Sequence, residues 1–168
     1  MNPAQQLLAQ GYHCSEAVLK AVCQELGIEN ELIPRIAGAL GGGMAGTGEV
    51  CGAVSSALMC ISIKHGREEP SQSDDEAYVL ARRFLRRFRN EMGSIRCREL
   101  TGIDLTTREG VKQFRTSDVP LRVCLPAAGL AYRLVLELLQ GPRHESAGGE
   151  REVGRAGVQG VEPPLPGA

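Results

Sequence analysis

Six cysteines in a chain of 168 residues carry most of the chemistry the sequence offers, and four of them share one setting. Cys14 directly precedes a helical segment that begins at Ser15, and Cys51 opens an apolar segment after a glycine-rich stretch. Cys97 lies in the first turn of a segment begun by Ser94, and Cys124 lies two residues before Pro126 in the first turn of the last helix. A helix start presents unpaired N–H groups and about half a unit of positive charge. Both favour the thiolate, the form that attacks disulfides and binds metals. The expectation is one active group gathered from Cys14, Cys51, Cys97 and Cys124. Cys23 and Cys60 each follow a member of that set by nine residues, which puts them on the opposite face of a helix. They read as small packing residues.

The spacing of the four matches neither a zinc finger nor a ferredoxin loop, and the chain has no C-x-x-C, so the fold must gather any site from distant segments. Three chemistries stay open. The first is electron transfer through an iron–sulfur cluster held by some or all of the four. The second is thiol–disulfide exchange between two of them, with Cys51 favoured as nucleophile. The third is a zinc-binding structural module. Gly42, Gly43 and Gly52 are the candidate cofactor-binding positions, because bare backbone there leaves room beside Cys51 for a cluster or a disulfide.

The elements that must position these thiols read as helices. Residues 3–10 form a short one closed by Gly11, and residues 15–26 a second stopped by Gly27. Residues 30–40 read as a third, capped by Asn30 and bent at Pro34. Residues 51–64 are apolar on nearly every side, the mark of a central buried helix. Residues 73–90 place Ala81, Phe84, Leu85 and Phe88 on one stripe, with Met92 extending it. Residues 94–101 make a turn or two, 102–118 read as loop with at most one further turn, and 121–139 as a strongly apolar last helix. No strand pattern and no repeat is visible. The fold expected is all-α, a compact bundle of about five to six helices over residues 1–141, followed by a disordered Gly/Pro-rich tail over 142–168.

The totals narrow the partners. Formal net charge is −1, from 19 basic and 20 acidic residues, a balance that asks for neither nucleic acid nor an anionic membrane. The first residues lack the charge and apolar run of a signal peptide, and no stretch reaches about 18 uninterrupted apolar residues. A cytoplasmic protein without membrane insertion is expected, where several cysteines point to metal or redox chemistry rather than structural disulfides. An electron-transfer protein is the partner expected, and a homodimer is compatible with the sequence.

With these residues in view, the chain resembles a family of redox-active proteins named for its cysteine pattern, C_GCAxxG_C_C. The residues that carry the resemblance are GYHCSEAVL, then ALGGGMAGTGEVCGAVSSALM, then CRELTG and a final helical cysteine. Cys14, Cys51 with Gly52 and Ala53, Cys97 and Cys124 match the pattern, and Gly42, Gly43, Met44 and Gly48 resemble its glycine-rich approach. Ser56 stands where the CGAxxG motif has its last glycine. The resemblance implies a redox role, and its occurrence beside iron–sulfur and haem domains implies a cluster as one form of it.

Other patterns weigh less. Gly41 to Gly46 formally fit G-x-G-x-x-G, but the segment before them is helical rather than the strand a dinucleotide fingerprint needs, and no Lys-Ser/Thr pair follows to make a phosphate loop. Arg82, Arg83, Arg86, Arg87 and Arg89 read as the basic end of a solvated helix whose acids lie first, with docking of an acidic partner as the functional alternative. His13 beside Cys14 reads as polar surface, or else as a base or ligand. His65 reads as a cation at a helix end.

Overall fold

The computed structural model describes residues 1–141; the expected tail, 142–168, lies outside the described residues. Seven α-helices form among them: α1 (Pro3–Ala9), α2 (Cys14–Glu25), α3 (Gly52–His65), α4 (Asp75–Met92), α5 (Cys97–Thr101), α6 (Arg108–Thr116) and α7 (Leu125–Gln140). The described residues contain no strand, so the all-α expectation holds.

Helices α2, α3 and α7 pack on one another at the centre, α4 lies against α3 and α7, and α1 closes the other side against α2 and α7. The small residues of the sequence let them approach closely. Ala17, Ala21, Ala53, Ala57, Ala128 and Ala131 are all buried at the seams. Rings enter chiefly from α4, where Phe84 and Phe88 are wholly buried with centroids 5.8 Å apart, joined by Tyr132 of α7. Each removes enough apolar surface from water to contribute roughly 2–3 kcal/mol. The buried stripe of α4 is Ala77, Leu80, Phe84 and Phe88, while Ala81, Leu85 and Met92 are half-buried at its edge. The arginines of α4 face outward; Arg87 pairs with Glu137 of α7 at 2.7 Å, an exposed contact worth less than about 1 kcal/mol.

Two expectations need correction. Residues 30–40 do not form an α-helix: only Arg35–Leu40 is helical, as tight 3₁₀ turns. Pro34 has no N–H to donate and bars the α conformation at Ile33, so nothing helical passes through it. Residues 102–118 contain a true helix, α6, rather than a loop with a turn. Thr107 caps it by accepting from the Gly110 N–H at 3.0 Å. Helix α7 is preceded by a wide helical turn, Pro120–Cys124. Together, 120–140 are long and apolar enough to cross a membrane by length and composition alone, yet Leu130, Leu134 and Val135 of this segment are buried in the core between the other helices.

Candidate functional site

The fold gathers the four thiols by a few specific contacts. Ser15, the second residue of α2, is buried and its hydroxyl donates to the Ala37 carbonyl at 2.8 Å, which pins the start of α2 against the 3₁₀ turns. The glycine loop 41–48 then folds back on itself, with Ala45 N–H donating to Ala39 and Gly48 N–H to Gly42. Met44 and Ala45 adopt positive φ, 59° and 55°, a conformation that costs a non-glycine residue about 1–2 kcal/mol. The chain leaves the loop antiparallel to the segment before α5. Cys97 N–H donates to Glu49 at 2.7 Å, Arg98 N–H to Gly48 at 2.9 Å, and Cys51 N–H to Ile95 at 2.8 Å. This short clasp brings the start of α5 to the start of α3, and with it Cys97 towards Cys51. It is too brief to leave a strand signature in the sequence.

The glycines make the approach sterically feasible. A Cβ on Gly52 would lie 2.8 Å from the Cys14 sulfur and 2.9 Å from the Leu40 carbonyl. One on Gly43 would lie 2.5 Å from Cys97 Cβ. Real side chains do not fit at such distances. Gly42 contributes its N–H to the Cys14 sulfur.

All four thiols line a single cavity of about 660 Å³ between α1, the glycine loop, α5, α6 and the 120–125 turn. Cys14 and Cys124 are half-buried, Cys51 and Cys97 buried. Within it the thiols are unequal. The Cys14 pKa is shifted down to about 6 despite burial, first by its neighbour Cys51 and then by the backbone N–H groups of Gly42, Ser15 and Ala53. Cys51 is pushed well above the ordinary thiol range, first by its neighbour Cys14 and then by burial. Burial drives Cys97 up to about 11, with the Cys14 charge adding to it. Cys124 rises to about 12 from burial and from the charges of Cys14 and Cys97. Of the four thiols at helix starts, only Cys14 is shifted down. Cys97 N–H is already spent on Glu49, α5 has only five residues, and Cys124 follows a helical turn instead of opening one.

The fit of a metal can be judged from the donors. Four thiols on one cavity are suitable in kind, since thiolates hold both clusters and zinc. Among the described residues, however, no three His, Cys, Asp or Glu side chains are grouped so as to hold a metal ion. As positioned, the thiols form a pair and two outliers.

The profile of the family described as "Putative redox-active protein (C_GCAxxG_C_C)" matches residues 12–138, the whole span from Cys14 to the end of the cavity-forming helices. The chain belongs to this family. No curated protein and no solved structure matches the chain. Where the C_GCAxxG_C_C motif ends in glycine, this member has Ser56, fully buried in α3 with a hydroxyl that finds no partner. Sequence reasoning missed the rest of the cavity wall, including Leu8, Tyr12, Leu105, Phe114, Leu121 and Val123. The one available signal was Val111 and Phe114, an apolar i,i+3 pair in an otherwise polar stretch.

Proposed function

We propose that this C_GCAxxG_C_C protein is a thiol–disulfide redox protein in which Cys14 attacks and Cys51 resolves. The observation that carries the reading is that Cys14 and Cys51 meet at the starts of α2 and α3 on one cavity, so closely that a Cβ on Gly52 would lie 2.8 Å from the Cys14 sulfur; beside Cys51 the Cys14 thiol pKa is shifted down to about 6. At neutral pH a thiol with a pKa of about 6 is mostly thiolate, and a thiolate is the attacking form. The sequence favoured Cys51 as nucleophile; the greater exposure of Cys14 and its downward shift favour Cys14.

The electron balance is simple. The Cys14 thiolate attacks one sulfur of a disulfide R–S–S–R, forming Cys14–S–S–R and expelling RS⁻. That thiolate takes the Cys51 proton, and the new Cys51 thiolate attacks the Cys14 sulfur. The products are a Cys14–Cys51 disulfide and two RS groups, one leaving as thiol and one as thiolate. Two electrons pass from the dithiol to the disulfide substrate. Cys97 and Cys124, protonated at neutral pH, stay as bystanders in the wall.

The second reading is an iron–sulfur cluster, favoured by one observation: all four thiols, not two, face the same cavity. The side chains would have to regroup to hold it, and no step is derived through it. Both readings meet in one experiment on the full chain purified without oxygen. It is treated with a stoichiometric small disulfide, mapped by peptide mass spectrometry, and assayed for iron and visible absorption. The expected result is a Cys14–Cys51 disulfide with four thiols left free in an iron-free, colourless protein. Stoichiometric iron with visible absorption, lost when Cys97 or Cys124 is replaced, would overturn the thiol reading.

A further inference from the structure

Resting on that thiol reading, we infer that the cavity selects an uncharged, apolar disulfide and turns away anionic ones. The cavity's volume, about 660 Å³, lies in the range of sites that enclose a small organic molecule. Its wall contains no Asp, Glu, Lys or Arg side chain. Leu8, Leu100, Leu105, Phe114 and Val123 supply apolar surface, and the polar side chains are limited to Tyr12, His13 and Thr101 apart from the thiols. Such a wall holds no Lys or Arg side chain to pair with a carboxylate, and burying an unpaired charge is costly. The Cys14 thiolate adds to this, because it places negative charge at the point an anionic substrate must reach.

The rim agrees. Leu121 lines the cavity yet leaves 67 % of its surface in water, and Met1, also in the wall, leaves 68 %. Large apolar residues at the mouth of an apolar cavity extend the surface an entering aliphatic or aromatic group would cover. The exchange itself is the one already written, with R an uncharged aliphatic or aromatic group: Cys14 takes one RS group, Cys51 displaces it, and both RS groups leave reduced.

Two chromogenic disulfides built on the same ring pair separate this inference from the reading beneath it: neutral 2,2′-dithiodipyridine and its dicarboxylate dianion, 6,6′-dithiodinicotinic acid. Stopped-flow rates at Cys14 of the full chain are divided by the rates of the same reagents with a free small thiol, which removes intrinsic reactivity. The normalised rate is expected to favour the neutral reagent by more than about tenfold, as an unpaired charge against an apolar wall requires. Leu121→Lys, at an exposed position that leaves the core intact, is expected to cut that ratio several-fold by giving the anion a partner. Equal normalised rates would overturn the selectivity while leaving the thiol reading in place. No reaction of Cys14 with either reagent would overturn the thiol reading itself.

Discussion

Helices α2 and α3 carry two cysteine pairs in matching register, Cys14 with Cys51 and, nine residues further along each helix, Cys23 with Cys60. The pairs sit about 13 Å apart along the helix axes, and in both the two thiols shift each other. In each, the α2 cysteine is shifted down by its partner and the α3 cysteine up. What differs is everything around them. Cys14 begins its helix, receives three N–H groups and faces a cavity. Cys23 lies in the last turn of α2, where its N–H is already paired within the helix, and it lines only a separate cavity beside residues 28–33; Cys23 and Cys60 are each 1 % exposed. The same two sulfurs stand in two different settings according to helix position and access, not according to residue type.

The largest break in that comparison is expected from serine at the two α2 positions. Cys14→Ser replaces the thiolate with a hydroxyl that stays protonated, and exchange with a neutral disulfide is expected to fall by more than about a thousandfold. Cys23→Ser is expected to leave the rate within about twofold, since Cys23 does not line the Cys14 cavity. Comparable losses in both variants would erase the distinction.

Next in size is Gly52→Ala, whose methyl group meets the Cys14 sulfur at 2.8 Å and the Leu40 carbonyl at 2.9 Å. The backbone oxygen cannot swing aside, so a stability loss of about 2–3 kcal/mol is expected in urea unfolding, together with slower exchange. Full retention of both would mean the helix starts are less tightly packed than described.

Removing single sulfurs sharpens the contrast further. Cys60→Ala opens a void in the dry core and is expected to cost about 1–2 kcal/mol. Cys124→Ala only enlarges an existing cavity and is expected to cost less than about 0.5 kcal/mol. The smallest effect has the opposite sign. Ser56→Ala removes a buried hydroxyl without a partner and keeps helix propensity, so a gain of about 1 kcal/mol is expected.

Much of this was legible in the sequence because local rules and packing agree. Gly11 and Gly27 end helices, the apolar run after Cys51 is the buried α3, and the four cysteines that matter stand apart from Cys23 and Cys60 by position alone. The misses share a physical origin. Helix α6 offers only Val111 and Phe114 to the interior, too few for an amphipathic pattern to stand out. Residues 30–40 showed the apolar spacing of a helix that Pro34 forbids. The cavity wall joins α1, α5, α6 and the 120–125 turn, and no local pattern foretells that meeting. The helix-start argument also overcounted thiolates, because it held the dipole and not the desolvation that lifts Cys97 and Cys124.

The claim at the centre is that Cys14 is held as a thiolate by its neighbour Cys51, and the pH dependence of its alkylation measures that directly. A group shifted down to about 6 gives up its proton as pH rises through that value. Iodoacetamide labelling of Cys14, followed by mass spectrometry, is therefore expected to rise with a midpoint near pH 6 and level off by about pH 8. In Cys51→Ser, which keeps a donor, the midpoint is expected to stay well below that of an ordinary thiol; in Cys51→Ala it moves upward. A midpoint near 8.5–9 in the unaltered chain, or no change on removing Cys51, would contradict the account.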